Sequence, residues 1–471
     1  MADDIWILGI SMTRFGKHPD SDVIDLAAEA ALAAMGDAGV TIHDVGALAA
    51  GNLMHASASI GQLLQKQIGQ TGVPVYNVAN ACATGATALR VACLALKSGE
   101  ADVAMAVGVE KLAGAGLLAG AARGGDGAAW TPSGRFGAIA PLDGRVGTDT
   151  MPGVFAQIGM EYGHRYGGTS FELFARISQK NHAHSTLNPK AAYQKRMTLD
   201  QIMNDVMIAY PNTRPMCSAN CDGAAAAVLI TGSHLRTLSL QQQRRAVKIS
   251  ASVLTSDPWQ ESCQVLPDIN TLTGNAATLA YEAAGLGPSD LDLVELHDCF
   301  ATAELVHYDN LMLCPEGGAV DLFESGATWR DGRLPVNVSG GLQSKGHPIA
   351  ATGIANVWEV ATHLRGEAGD RQIPGARVGL AHVIGLGSAC GIAGSTSSSG
   401  PSSHPSELLC SRFGAVPDCA PPVTCVCSWA GTAAENLGRD GADVGPAGYW
   451  ARLQGLVCPA SMMRWAMPSA A

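Results

Sequence analysis

The chain has 471 residues, of which 47% are hydrophobic and 15% are charged, and its formal net charge is −11. This length fits two or three domains, and an acidic protein is a poor partner for nucleic acid, which requires a basic face. The sequence has no run of about 18 uncharged apolar residues, so we expect no membrane span. The apolar run at residues 5–10 is too short for a signal peptide. We therefore expect a cytoplasmic protein whose eight cysteines before residue 400 are thiols.

Residues 1–115 alternate apolar strands with alanine-rich helices. The predicted elements, in chain order, are a strand at 5–10, a helix at 23–38, strands at 45–50 and 75–79, a helix at 83–97 and a strand at 103–109. This order predicts a parallel or mixed sheet that is covered by helices on both faces. Residues 116–221 are less regular, with a glycine-rich part followed by a polar helical part, and they indicate an insertion.

The sequence after residue 222 repeats the pattern of the first part. Residues 27–51 and 276–298 share the order of an alanine-rich helix, a glycine turn, an aspartate and an apolar strand. Residues 81–108 and 347–384 match in the same way. The repeat predicts two similar halves packed against a shared layer of helices, although coincidence in alanine- and glycine-rich sequence is an alternative.

The character of the sequence changes again at its end. Residues 397–471 begin with a serine-rich stretch, contain no lysine and show neither strand alternation nor a helical stripe. Because such a segment cannot offset the entropy of ordering, we predict a disordered tail without catalytic groups.

Cys82 lies between a predicted strand and a predicted helix. A thiol at a helix N-terminus is exposed to the positive end of the helix dipole, and we expect this position to lower its pKa and favour the thiolate. Gly85 permits close approach of another segment. The alternative is a small buried core cysteine, which is the commoner role of this residue type.

His347 precedes the corresponding helix of the second half, at a position similar to that of Cys82 in the first half. If the two helix N-termini meet, a thiol and an imidazole come together, and an activated cysteine requires this pair. A third group follows the strand at 291–296, since strand ends in α/β sheets bind ligands. There His297 can donate to an oxyanion, and Cys299 can move a proton. A metal pair at these residues is not expected, because no second His/Cys pair lies at ligand spacing nearby.

Five motifs in order and spacing resemble the sterol-carrier-protein type of thiolase. They are NACATG at 80–85, CDGAAAAVL at 221–229, VELHDCF at 294–300, NVSGGLQSKGHPIAATG at 337–353 and HVIGLG at 382–387. The resemblance covers residues 1 to about 395. It implies the α/β thiolase fold, with two similar βαβαβ-type halves stacked in α-β-α-β-α layers and a loop domain inserted in the first half. The implied N-terminal half comprises 1–115 and 222–240, the CoA-covering loop domain 116–221, and the C-terminal half 241–396.

The resemblance also implies roles for individual residues. Cys82 would take the acyl group, and His347 would activate it. Cys299 would be the acid/base at the acetyl-CoA carbon, and His297 would hold the thioester oxygen of that acetyl group. Asn337 would shape the catalytic loop, and the backbone around Gly385 would contribute to a second oxyanion hole. Many other thiolases carry a cysteine where this chain has Val383, so the acid/base role falls to Cys299 alone.

The expected substrates are coenzyme A and its acyl thioesters, and no permanently bound cofactor or metal is expected. CoA brings negative phosphates to an acidic protein, so a local basic site is required. Candidates lie in the inserted segment, where a solvated helix face is the alternative; they are Arg176, Lys180, Lys190, Lys195 and Arg196. We also expect a homodimer, with an apolar strand such as 103–109 as a suitable edge for pairing.

The predicted reaction is thiolytic cleavage of a 3-ketoacyl-CoA, or the reverse condensation with acetyl-CoA, through an acyl-cysteine. Two alternatives remain. A decarboxylating condensing enzyme shares the Cys–His pair but does not need Cys299. A non-catalytic, thiolase-like acyl-CoA-binding protein would tolerate the unusual tail. The sequence does not determine the acyl chain.

Overall fold

A computed structural model describes residues 3–113, 151–256, 269–385 and 389–397. Within these residues the strands are β1 Ile5–Met12, β2 Ala47–Gly51, β3 Val75–Val78, β4 Val103–Glu110, β5 Met207–Ala209, β6 Asn212–Thr213, β7 Gly223–Thr231, β8 Val247–Thr255, β9 Leu293–Glu295, β10 Val378–Gly385 and β11 Ala389–Ser397. The helices are α1 Val23–Ala38, α2 Ile60–Ile68, α3 Thr84–Lys97, α4 Met151–Tyr166, α5 Phe171–Ser185, α6 Leu199–Met203, α7 Gly232–Leu235, α8 Leu240–Arg245, α9 Ile269–Ala284, α10 Ala301–Asn310, α11 Ala319–Glu324, α12 Gly341–Ser344 and α13 Ile349–Leu364. The predicted tail lies outside the described residues, apart from Ser397 in β11.

The sheet contains two copies of one strand arrangement. Its nine strands follow the order β3-β2-β4-β7-β1-β8-β11-β10-β9. In the first half, β2 and β4 are parallel, and β7 is antiparallel to both β4 and β1. In the second half, β9 and β10 are parallel, and β11 is antiparallel to both β10 and β8. The halves join through the antiparallel pair β1–β8, and the repeat predicted from the sequence is confirmed.

Helices α3 and α13 lie between the two halves. Helix α13 contacts β4 and β7 on one side and β10 on the other, and α3 contacts β2 and β4 as well as β8. Helices α1 and α2 cover the outer face of the first half, and α9 packs against β8 and β11. This is the layered α/β arrangement expected for the fold. Among the described helices, none combines the length and the apolar character that crossing a membrane requires.

The strand suggested for dimer pairing is not at an edge. β4 lies between β2 and β7 and is buried along its whole length. The prediction that residues 103–109 form a pairing edge is therefore wrong, because both sides of this strand are already hydrogen-bonded within the chain.

The two halves meet through backbone contacts that leave no space for side chains. A Cβ atom on Gly85 of α3 would lie 2.6 Å from the carbonyl oxygen of Ala350. A Cβ atom on Gly353 of α13 would lie 2.4 Å from the nitrogen of Ala86. Gly108 of β4 would place a Cβ atom 2.0 Å from the Ala350 oxygen. Glycine is therefore required at this contact between the first turns of α3 and α13.

Gly85→Ala tests this requirement. The added methyl group forces the two helices apart, and we expect the free energy of unfolding to fall by about 1–3 kcal/mol, the usual effect of overpacking. The matched control is Gly36→Ala in the last turn of α1, where an added Cβ meets nothing within 4 Å. At that position the higher helix propensity of alanine should raise the free energy of unfolding by roughly 0.5–1 kcal/mol. Urea unfolding of both variants measures the difference, and equal stabilities would show that the helix contact is not tight.

Candidate active site

Cys82 occupies a tight turn between β3 and α3. The preceding residue, Ala81, has a positive φ of 45°. The Thr84 hydroxyl accepts from the Asn80 N–H at 2.8 Å and donates to the Ala81 carbonyl at 2.6 Å. The Ala83 N–H donates to the Asn80 carbonyl at 3.0 Å. These hydrogen bonds fix the turn and place the half-buried Cys82 two residues before the first residue of α3.

His347 is held at the start of α13 by both its backbone and its ring. Its N–H donates to the carbonyl of Ala219 at 3.0 Å. Its Nδ1 lies 2.7 Å from the Thr352 hydroxyl, and that hydroxyl donates its hydrogen to the Pro348 carbonyl at 3.0 Å. The hydroxyl oxygen therefore accepts from Nδ1–H, and this pattern assigns the ring proton to Nδ1. Nε2 is buried without a partner among the described residues, so its lone pair is available as a base.

The fold brings three of the predicted residues to one point. The Cys82 sulfur and one ring nitrogen from each of His297 and His347 all lie within 4.8 Å of one another. The two imidazole rings meet edge to face, with centroids 5.2 Å apart. A thiol, a base and a possible hydrogen-bond donor are thus assembled at the contact between the two halves.

Burial keeps the groups of this cluster neutral. It raises the pKa of Cys82 to about 12, with a smaller contribution from the negative charge of Glu110. Burial also lowers the pKa of His347 to about 3 and places the pKa of His297 well below its usual value. The expectation that the helix N-terminus lowers the pKa of Cys82 is therefore wrong for the resting site. A thiolate requires transfer of the proton to a neighbouring group.

Cys299 lies in the same region and stays protonated. It is buried, and its carbonyl accepts from the Ser218 N–H at 2.8 Å. Burial raises its pKa well above the usual value, and a negative charge on Cys82 raises it further, as does Asp298. A thiolate at Cys82 opposes ionisation of Cys299. The two thiols are therefore suited to different tasks, Cys82 to nucleophilic attack and Cys299 to proton donation.

Asn337 shapes the loop that follows β9. It has a positive φ of 54°, and its Oδ1 accepts from the N–H of Leu296, the residue before His297, at 2.9 Å. Its Nδ2 donates to Glu304 at 3.1 Å.

Gly385 is the last residue of β10 and packs closely against the Cys82 turn. A Cβ atom on Gly385 would lie 2.9 Å from the carbonyl oxygen of Asn80. Its contribution to an oxyanion hole stays a prediction.

The basic residues proposed for CoA do not form one exposed group. Lys180 is fully buried and pairs with Glu304, so it is not accessible to a phosphate. Arg176 donates to Glu324 at 2.8 Å, and Lys190 donates to the carbonyl of Met12 at 2.8 Å. Only two of the five candidates, Lys195 and Arg196, are exposed.

Sequence reasoning missed three supporting residues. Thr352 lies in the first turn of α13, five residues after His347, and this spacing is not one that predicts a side-chain contact. Asp298 is buried, and its carboxylate accepts from the Leu342 N–H at 2.7 Å and from Asn181 at 2.9 Å. Glu110 ends β4, and burial raises its pKa to about 7 while the N–H groups of residues 53 and 54 bind its carboxylate. Asp298 lies within the VELHDCF motif, between His297 and Cys299, whereas no sequence pattern marks Glu110.

Comparison with known proteins identifies related sequences. The family profile "Thiolase, N-terminal domain" matches residues 5–125, and "Thiolase C-terminal domain-like" matches residues 259–392. Sterol carrier protein 2 of Gallus gallus is 37% identical over 405 residues, covering 83% of this chain and 71% of that protein. An acetyl-CoA acetyltransferase of Methanothermobacter thermautotrophicus is 36% identical over 388 residues, covering 81% of this chain and 96% of that protein.

Solved structures share the fold. The Ltp2-ChsH2(DUF35) aldolase matches with a TM-score of 0.70 and 23% identity, covering 84% of this chain and 98% of that chain. Human mitochondrial 3-ketoacyl-CoA thiolase in complex with CoA matches with a TM-score of 0.61 and 17% identity, with the same coverage of 84% and 98%. At these identities the likeness concerns the fold alone.

Thr352→Val tests the proton assignment on His347. Loss of the hydroxyl oxygen removes the acceptor for Nδ1–H. The ring proton is then no longer fixed on Nδ1, and Nε2 is no longer kept unprotonated as the proposed base. We expect alkylation of Cys82 by iodoacetamide at neutral pH to slow by roughly 10–100-fold, the usual effect of losing such a support. The pH profile of alkylation should shift to higher pH, and Thr352→Ser should restore both quantities.

The matched control is Thr362→Val on the same helix. The Thr362 hydroxyl makes the same type of bond, to the Trp358 carbonyl at 2.7 Å. This control should alkylate like the unmodified protein. If Thr352→Val leaves the rate and the pH profile unchanged, Thr352 does not position His347.

Proposed function

Since the chain belongs to the thiolase family of acyltransferases, we propose that it cleaves 3-ketoacyl-CoA with free CoA, or catalyses the reverse condensation with acetyl-CoA, through an acyl-Cys82 intermediate. The observation that carries the proposal is the meeting of Cys82, His297 and His347 within 4.8 Å. Thioester exchange requires a nucleophile, a base and a donor for a developing oxyanion.

The proposed cleavage begins with attack by Cys82 on the ketone carbon. Nε2 of His347 accepts the thiol proton, and this geometry compensates for the high pKa of the buried thiol. The bond between the α and β carbons then breaks and leaves an acyl-thioester on Cys82. The departing electron pair forms the enolate of acetyl-CoA, and His297 stabilises its oxygen.

Cys299 completes the first half of the cycle by protonating the enolate carbon. Its raised pKa keeps a proton available at neutral pH. In the second half, the Cys299 thiolate accepts the proton of the CoA thiol, the CoA sulfur attacks acyl-Cys82, and the protonated His347 returns its proton to the departing Cys82 sulfur. In the condensation direction the same groups act in reverse order, with Cys299 as the base.

Coenzyme A is the proposed acyl carrier, and Lys195 and Arg196 are the proposed contacts for its phosphates. Both side chains are exposed in the inserted segment, and exposed cations attract phosphate without the cost of desolvation. A cytoplasmic location and the absence of a permanently bound cofactor remain predictions.

Two variants separate the roles of the cysteines. We expect Cys82→Ala to abolish acyl labelling by 3-ketoacyl-CoA, as measured by intact-protein mass spectrometry. Cys299→Ala should still become acylated, but should exchange the α-protons of acetyl-CoA for deuterium about 10²–10⁴-fold more slowly, the usual contribution of general acid–base catalysis. Cys314→Ser is the control, because the Cys314 thiol donates to Asp309 and does not belong to the cluster of Cys82, His297 and His347.

The outcomes also distinguish the alternatives. Absence of labelling in the unmodified protein would favour a non-catalytic binding protein. A second outcome is that Cys299→Ala becomes acylated and exchanges deuterium as fast as the unmodified protein. This result would show that Cys299 takes no part in the reaction, and it would favour a condensing enzyme that does not need this residue.

We also propose a homodimer that forms through β3. Among the described strands β3 ends the sheet, its residues are partly or fully exposed, and Tyr76 is 38% exposed. At the other end, Val294 of β9 bridges to Val336, so β3 is the more open edge. Unpaired edges favour pairing with a second copy. Light scattering at micromolar concentration should give the mass of a dimer, and a monomer would contradict the proposal.

A further inference from the structure

The cluster at Cys82 also has the composition of a site for a borderline-soft metal ion. Thiolate sulfur and imidazole nitrogen are the preferred ligands of Zn²⁺, and three protein ligands leave a fourth position open. Within the described ranges, one set of three Cys, His, Asp or Glu side chains has its ligand atoms within 4.8 Å of one another: Cys82, His297 and His347. The sequence did not indicate a metal because the three residues lie in three separate motifs. Cys82 is more than 200 positions away from both histidines along the chain.

Each imidazole ring of the cluster has a nitrogen without a hydrogen-bond partner among the described residues. Nε2 of His347 is buried and has no partner in the described part of the chain. The Nδ1–H of the same ring donates to Thr352, and metal-binding histidines usually donate their second nitrogen in this way. Nδ1 of His297 is likewise buried and without a described partner.

The geometry of the cluster is compatible with a tetrahedral ion after some contraction. Bonds of about 2.0–2.3 Å place the ligand atoms of a tetrahedral Zn²⁺ site roughly 3.3–3.8 Å apart, so the separations of up to 4.8 Å must shorten on binding.

We propose that Cys82, His297 and His347 form a reversible inhibitory site for Zn²⁺. Binding forms one Zn–S bond and two Zn–N bonds, and it releases the Cys82 proton to solvent. Water takes the fourth position, and no atom changes its oxidation state. Because the metal and an acyl group require the same sulfur atom, they exclude each other. Zinc therefore blocks acylation, and an acylated enzyme does not bind zinc at this site.

The test measures alkylation of Cys82 with and without metal, by mass spectrometry of the peptide that contains it. The peptide readout is needed because the full chain has 13 cysteines. At a Zn²⁺ concentration of about 100 Kd, the alkylation rate should fall roughly 100-fold, because only the metal-free fraction reacts. Mg²⁺ prefers oxygen ligands and should give no protection.

Variants show whether the proposed ligands act together. In His297→Ala and in His347→Ala, the ratio of the alkylation rates without and with Zn²⁺ should fall to about one at the same metal concentration, since the site loses a ligand. Thr352→Val should weaken zinc binding by roughly 10–100-fold, whereas Cys314→Ser should retain full protection. Circular dichroism verifies that each variant is folded, and the ratio corrects for any change in intrinsic thiol reactivity.

Three outcomes would overturn the proposal. They are no protection of the unmodified protein, equal protection by Mg²⁺, and undiminished protection in both histidine variants. None of these measurements requires turnover, so the result is independent of whether the enzyme cleaves 3-ketoacyl-CoA. A further check rests on the proposed function: when Cys82 has been acylated with acyl-CoA, zinc bound per chain should fall by one equivalent.

Discussion

The active cluster depends on a contact between two helix N-termini that excludes side chains. Gly85 and Gly353 allow the first turns of α3 and α13 to touch through their backbones, and Gly108 admits the carbonyl of Ala350 beside them. One helix follows the Cys82 turn, and the other follows His347. A Cβ atom at any of the three glycines would meet backbone, which cannot move aside as a flexible side chain can. Main-chain packing therefore sets the distance between Cys82, the proposed nucleophile, and His347, the proposed base.

A buried polar network positions the third group of the site. Asn337 binds the backbone before His297 and also Glu304, and Lys180 neutralises Glu304. A second buried pair, Lys345 with Glu295 at 3.3 Å, holds the loop that leads to His347. Buried ion pairs contribute little net stability, but removing one partner leaves an uncompensated charge. We infer that these pairs fix the loop conformations, since alternative conformations would leave charges unpaired.

The sequence predicted the fold and the cluster because both follow from local patterns. Alanine-rich helices, apolar strands and the internal repeat placed Cys82 and His347 at equivalent positions, and the structure confirms the repeat. The sequence failed where the outcome depends on neighbours from distant segments. It did not indicate that β4 is enclosed on both sides or that Lys180 is buried against Glu304. The raised pKa of Cys82 was also missed, because burial by the second half outweighs the helix dipole.

The burial of the cluster has two opposite consequences for the proposed catalysis. It disfavours the separated charges of a thiolate and an imidazolium, so Cys82 remains a thiol until a substrate takes up the developing charge. It also strengthens each hydrogen bond to that charge, because less water screens the interaction. A ketone oxygen or an enolate oxygen near His297 gains more from such a donor than it would in water. In the proposed reaction, activation of Cys82 is thus coupled to the presence of the carbonyl group, and neutral groups in the resting site limit unproductive reactions of the thiol.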